Sequence, residues 1–377
     1  MNTGNLLIYR DEMLPPSQTF ILSQGEGLSQ FKAFYIGSRR VTGIEVPLER
    51  CSFINGGNWL GRCREILFKV FGLVSPTLLG KIAEFKPLLI HAHFGTDGVM
   101  AQTFSMALSL PLIVTFHGFD ATTKDDFANR SFYSHRKYIR RREHLIKGCT
   151  KFIAVSEFIK GKLLEQGFPE EKIVVHYIGI DINKFQPSPK VIRGPIILFV
   201  GRLVEKKGCT FLIRAMQDVQ KHIPEAELVV IGDGPLRKQL QDEAERSLRK
   251  FQFLGVQPHN VVKEWMDRAK IFSVPSITAE CGDAEGFGLV FAEAQAMGVP
   301  VVSFQSGGIS EAVSNGETGF LLPEKDWEGL AEYITLLFSD KVLWERMSKA
   351  GPERVRDKFN LEKQTSILEG LYRECLI

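Results

Sequence analysis

Short runs rich in Val, Ile, Leu and Phe recur along the chain, separated by longer stretches with helical spacing, and this alternation constrains the fold more than any other feature. In the first half the runs fall at residues 6–9, 33–36, 88–91, 112–115, 152–155 and 174–177. In the second half they fall at 196–200, 228–231, 251–254, 271–274, 299–303 and 319–322. Near-continuous apolar runs are what strands look like when both faces of a parallel sheet are covered by crossover helices, so the expected class is α/β. A chain of 377 residues exceeds the ~250–300 residues that one core usually supports. Two such halves are therefore expected. The polar, proline-bearing stretch Gln186-Pro187-Ser188-Pro189-Lys190 marks the boundary, giving domains 1–187 and 188–359, with a last helix near 360–377 packing back on the first. Ligands of open α/β sheets bind outside the carboxyl ends of the strands, so two facing Rossmann-like halves predict a deep cleft between them.

Composition removes several classes. A net charge of +3 without a basic stripe does not suit a dedicated nucleic-acid binder. No window of ~18 apolar residues is long enough for a membrane-spanning helix, and the amino terminus has no charged region leading into an apolar one, so no leader is expected. The six cysteines lack Cys-x-x-Cys spacing, which predicts neither a zinc site nor a disulfide framework and suits a reducing cytoplasm.

The most informative segment is Glu285-Gly286-Phe287-Gly288-Leu289, a glycine-rich turn that opens a helix of small and apolar residues. Gly298 ends that helix, and Pro300 follows. A helix start exposes unpaired N–H groups with partial positive charge, and glycine lets an anion approach them. Glu293 is the one carboxylate in that helix, and a ribose diol would supply donors for it; Glu285 would face the same ligand from the turn. A solvated Glu293 and a merely capping Glu285 are the bland alternatives. After the run 196–200 come Gly201 and Arg202, then Lys207 and Gly208. The two cations sit where a diphosphate would lie, arginine offering a planar fork and lysine a compact charge. Lys206 reads as surface. Gly232 and Gly234 after one strand, and Val256 after the next, would leave room for a nucleotide, although singly such glycines are more often turns.

The ordered set resembles the retaining glycosyltransferases of family 4, which have the fold called GT-B. It consists of Gly201-Arg202 with Lys207-Gly208, then Gly232-Asp233-Gly234-Pro235, then Glu285 and Glu293, and last Gly307-Gly308 with Glu311. The resemblance implies a nucleoside-diphosphate-sugar donor, in UDP or GDP form, as co-substrate, with no other cofactor and no metal. It assigns Glu293 to ribose, Glu285 to the sugar, Arg202 and Lys207 to the diphosphate, and the backbone of Gly286, Phe287, Gly288 and Leu289 to phosphate or sugar. A sugar-nucleotide epimerase, a glycoside phosphorylase and a catalytically inactive sugar-nucleotide-binding protein stay open as alternatives. A dehydrogenase would need Gly-x-Gly-x-x-Gly after the first strand, which is absent.

In the first half, His91 and His93 are read just after one strand and His117 just after the next, with Gly118 and Asp120 following. His117 matches the family's His-Gly pattern near the sugar; His93 and Asp120 are acceptor-side candidates, and His91 is structural. Ser156 should cap a helix. Where many relatives have a Gly-Gly pair after the first strand, this chain has Pro16-Ser17-Gln18-Thr19-Phe20. That pattern resembles the exopolysaccharide and colanic-acid branch, and it makes Ser17 and Thr19 further acceptor-side candidates, for a glycan or lipid-linked saccharide. The basic run Arg136–Arg142 and the segment Trp59–Phe71 suit docking on an anionic membrane face, or else a solvated face and a core-facing helix. The sequence leaves the nucleotide base, the sugar and the oligomeric state open.

Overall fold

The computed structural model describes residues 4–15, 18–188 and 191–376. They form two compact units. One runs up to Gly179 and resumes at Leu361; the other is Ile180–Asn360.

The first unit is built on β1 (Gly4–Met13), β2 (Phe31–Arg40), β3 (Cys51–Phe53), β4 (Leu89–His93), β5 (Leu112–Phe116), β6 (Lys151–Ala154) and β7 (Ile173–Val175). Every pairing is parallel, in the order β3-β2-β1-β4-β5-β6-β7. The second unit contains β8 (Ile196–Val200), β9 (Glu227–Ile231), β10 (Phe251–Gly255), β11 (Ile271–Phe272), β12 (Val301–Phe304) and β13 (Gly319–Leu322). They too are all parallel, in the order β10-β9-β8-β11-β12-β13. In each sheet the chain order reverses beside its first strand, between β1 and β4 and between β8 and β11. Loops leaving those neighbours diverge to opposite faces and open a crevice, which is where doubly wound sheets bind ligands.

The apolar runs become strands because both faces are covered. Leu6, Leu89, Ile113 and Ile153 are buried in the first core, and Leu198, Phe199, Val229 and Phe272 are buried in the second unit. Two local expectations shift. His91 and His93 lie within β4 rather than beyond it, because β4 continues to His93 in register with Thr115 of β5. The edge strand β3 has no counterpart in the apolar runs, since three residues including Ser52 carry no readable pattern.

The boundary falls at Gly179–Ile180, ahead of the proline-bearing stretch that the sequence suggests. Residues after it are fixed to the second unit by backbone pairing: Ile180 bridges Asn360, its N–H donates to the Phe359 carbonyl at 2.6 Å, and Phe185 is buried. The last helix, Leu361–Glu374, lies with the first unit. Its Tyr372 hydroxyl meets His91 Nδ1 at 2.7 Å, and its Gln364 carbonyl meets His176 Nε2 at 2.8 Å. Its buried Glu369 carboxylate accepts the N–H groups of Ser29 and Gln30, each at 2.6 Å.

Candidate active site

In the second unit, the chain leaves β8 through Gly201 and makes one 3-10 turn, Glu205–Lys207, before the helix Cys209–His222. That turn tucks Lys207 inward, where its ammonium donates to the Glu285 carboxylate; both side chains are nearly buried. Burial alone would raise the Glu285 carboxyl, but Lys207 first, then Lys206 and Arg202, hold it down at about 2. Glu285 is fixed through its backbone as well, since its carbonyl accepts the Gly308 N–H at 2.9 Å. At Gly307, with φ +56°, a side chain would overlap that carbonyl. Lys206, which the sequence suggests is plain surface, donates to Asp283 at 2.9 Å and is largely buried. Arg202 is exposed and forms no ion pair among the described residues.

The glycine-rich turn brings the chain to Gly288, φ +81°, where the helix Leu289–Ala296 begins with no side-chain cap and no acid in its first turn. Its first N–H groups therefore keep their capacity for an outside acceptor. Gly286 is buried, and the Phe287 ring is buried too and packs on Phe359 at 5.0 Å, so that ring is turned into the fold. Gly298 follows the helix with φ +66°. Glu293, one turn into the helix, has no hydrogen bond or ion pair to its carboxylate among the described residues. Burial pushes it up to about 7, opposed only by Lys184.

Gly232 and Gly234 have a steric reason other than the one the sequence suggests. At Gly232, φ +140°, an added Cβ would overlap the Gly201 carbonyl, and at Gly234 it would press on the backbone of Leu203. They hold the loop after β9 against the loop after β8, which sets where Arg202 and Lys207 stand. Val256 is exposed beyond β10, at the sheet edge.

In the first unit, His93 Nδ1 and His117 Nε2 face each other at 3.1 Å with stacked rings, while His93 Nε2 and His117 Nδ1 are buried and meet no partner among the described residues. Phe20 and Phe94 flank the His117 ring at 5.0 and 4.6 Å. Burial holds both imidazoles well below the usual histidine range, so both are neutral at pH 7. Asp120 is occupied by the fold: it accepts the N–H groups of Gly95, His117 and Gly118 at 2.9, 3.2 and 2.9 Å. It shapes the loop that carries His117 and caps the helix Gly95–Leu108. His91 is saturated by Tyr372 and Thr115. Thr19 opens the helix Thr19–Glu26; Ser17 lies outside the described residues.

Sequence reasoning misses the buried pair at this switch point. Arg10, from β1, donates to Asp97 in the helix after β4 and to the His93 carbonyl, and its guanidinium covers the Phe94 ring at 4.5 Å. A cavity of about 470 Å³ opens beside Arg10, Asp97 and Phe94. The available signal was Asp97 itself, the one charged residue between Gly95 and Leu108.

Two parallel doubly wound sheets with polar clusters at their switch points define an α/β protein of the GT-B class. HepE of Anabaena, solved in complex with UDP and glucose, shares this fold with a TM-score of 0.78 over 98% of this chain and 100% of that one, at 18% identity. The model for glycosyl transferases group 1 matches residues 181–354, and that for glycosyltransferase family 4 matches residues 61–184. WcaL of Escherichia coli, assigned to colanic acid biosynthesis as a glycosyltransferase, is 31% identical over 79% of this chain and 75% of its own length. The capsular polysaccharide biosynthesis glycosyltransferase CapM of Staphylococcus aureus is also 31% identical, over 77% of this chain and 78% of its own. The chain belongs to glycosyltransferase family 4.

Proposed function

We propose that this chain is a retaining glycosyltransferase of polysaccharide biosynthesis. It takes a nucleoside-diphosphate-sugar, in UDP or GDP form, and passes the sugar to a hydroxyl of a glycan or lipid-linked saccharide. The observation that carries this reading is an asymmetry between the two switch points. In the first unit the helix start is already satisfied by Asp120, with Asp97 in its first turn. In the second the helix start is uncapped and shares its turn with Glu285, which senses Lys207, Lys206 and Arg202. Only the second suits an anionic diphosphate. The complexes of HepE with UDP and with UDP-glucose favour the UDP form.

In the reaction the bond from the anomeric carbon to phosphate breaks and a bond to the acceptor oxygen forms on the same face. The acceptor proton passes to the departing phosphate. Charge grows on the diphosphate, so Arg202, Lys207 and the helix start would lower the barrier, a role a metal would otherwise fill. Glu285 would hold the sugar hydroxyls, Glu293 the ribose, and neutral His117 a sugar hydroxyl. No further cofactor is needed, and the free cysteines suit a reducing compartment. The test is release of nucleoside diphosphate from UDP- and GDP-sugars in excess EDTA. Turnover of one donor with EDTA present supports the reading; loss under chelation that magnesium or manganese restores would overturn the metal-free diphosphate site.

A further inference from the structure

The helix Trp59–Phe71 turns its polar and apolar sides the opposite way to an ordinary surface helix. Its buried positions are Gly61, Glu65 and Phe68. The Glu65 carboxylate is held on that side by Asn55 and Lys69, each at 2.8 Å. Facing outward are Trp59, Ile66 and Phe71, which are 71, 61 and 70% exposed, with Leu60, Leu67 and Val70 also open to solvent. A soluble surface rarely leaves so many large apolar side chains together, and where it does the patch serves an interaction. Arg62 and Arg64 are interleaved with them, exposed and without an ion pair among the described residues.

A second helix, Tyr133–Gly148, meets the carboxyl end of this one. The Tyr133 hydroxyl donates to the Lys69 carbonyl at 3.2 Å, and the Lys137 ammonium donates to the same oxygen. Its Arg136, Arg140 and Arg141 line a cavity of about 340 Å³ together with Val70 and Tyr133, and none of the three forms an ion pair among the described residues. Phe132, just before it, is 78% exposed.

We propose that these two helices form a docking surface for an anionic bilayer, with the apolar side chains entering the headgroup region and the arginines meeting lipid phosphates. A protein partner would have to bring a carboxylate opposite each of these cations, whereas a bilayer offers phosphates across its whole headgroup layer, directly above hydrocarbon. Here the cations are interspersed among the apolar residues. The tryptophan at the helix start is suited to the bilayer interface. The proposed contact is peripheral: no single helix among the described residues is long and apolar enough to span a membrane, and Arg62 and Arg64 within this one favour the interface over the hydrocarbon core. It concerns the first unit's surface and does not depend on the donor site.

The test is co-sedimentation of the full chain with vesicles of phosphatidylcholine alone or with added phosphatidylglycerol, at low and high salt. Binding should require the anionic lipid and weaken with salt. Replacing two exposed arginines, Arg140→Gln with Arg141→Gln, should weaken it about 30-fold, and Trp59→Ser with Ile66→Ser by at least about 10-fold. All four side chains are exposed, so melting temperatures should not move; an unchanged melting temperature with lost binding assigns the effect to the surface. Equal binding to neutral vesicles, or full binding by both double variants, would overturn the proposal. So would a concentration-dependent dimer in analytical ultracentrifugation that Trp59→Ser with Ile66→Ser dissolves, since the face would then join two copies of this chain.

Discussion

The Lys207 ammonium donates to the Glu285 carboxylate, tying together two loops that are 78 residues apart in sequence. The charge proposed to meet the departing diphosphate and the charge proposed to meet the sugar thus fix each other's position. A nearly buried pair of this kind contributes less through its net attraction than through the penalty for breaking it, because removing one partner strands the other in a poorly solvated place.

Lys207 and Arg202 should therefore separate in stability while agreeing in activity. Each alanine replacement should lower turnover by on the order of 100-fold. Lys207→Ala should also cost about 3–5 kcal/mol of folding stability, whereas exposed Arg202→Ala should leave urea unfolding unchanged. Lys207→Met combined with Glu285→Gln should recover most of the stability and none of the activity. Unchanged unfolding of Lys207→Ala would mean that the pair is not held in solution.

Glu285 should dominate the acid limb of stability in the second unit. Burial raises its carboxyl, but Lys207 and its neighbours bring it from the ordinary 4.5 to about 2. A carboxylate with a lowered folded-state pKa stabilises fully above its unfolded value, and that contribution drains away as pH falls from 4.5 toward 2. Across this window wild type should lose about 3 kcal/mol more than Glu285→Gln. Parallel pH dependences in denaturant titrations of the two proteins would contradict this.

Glu293 has the opposite sign. Its folded-state pKa is raised to about 7 by burial, so its contribution to stability is largest below 4.5 and is lost as pH rises through 7. Glu293→Gln should accordingly melt higher than wild type at pH 8. If the carboxylate accepts ribose hydroxyls, nucleoside diphosphate binding should release a proton below pH 7 and weaken up to about 10-fold per pH unit. Calorimetry in buffers of differing ionisation enthalpy reads that proton directly. A proton count of zero at pH 6, or undiminished affinity in Glu293→Gln, would remove Glu293 from the ribose.

His117 should act as a hydrogen-bonding group and not as a base, because burial first, then Arg10 and His91, keep it neutral. His117→Gln should retain more activity than His117→Ala, by about 10-fold for one hydrogen bond. The limb near pH 7 in kcat/KM should persist in His117→Gln and vanish in Glu293→Gln. The reverse pattern would make the imidazole the titrating group.

Some of this was legible along the chain because the physics behind it is local. Burial on both faces of a parallel sheet writes itself as a continuous apolar run, so every strand except β3 could be read from composition and spacing. Three-residue β3 has too little sequence to carry a pattern. The turn Glu285–Leu289 was readable because the left-handed backbone where the helix begins calls for glycine, and Gly288 supplies it. Ser156 was readable as a cap because its hydroxyl reaches only three residues ahead, to the Ile159 N–H at 3.1 Å.

The sequence by itself determined the two parallel sheets and the loops at their carboxyl ends where polar residues gather. Tertiary structure alone decided the partners of those residues. Gly232 and Gly234 could be seen as turns, but the backbone of Gly201 and Leu203 is what forbids them side chains. Asp120 could be seen near His117, yet three backbone N–H groups claim its oxygens. Arg10 with Asp97, Lys206 with Asp283, and Tyr372 with His91 join positions 87, 77 and 281 residues apart. A charge or a hydroxyl carries no mark in sequence of what it will meet, because its energy depends on distance and solvent exclusion, and both exist only once the sheets have closed.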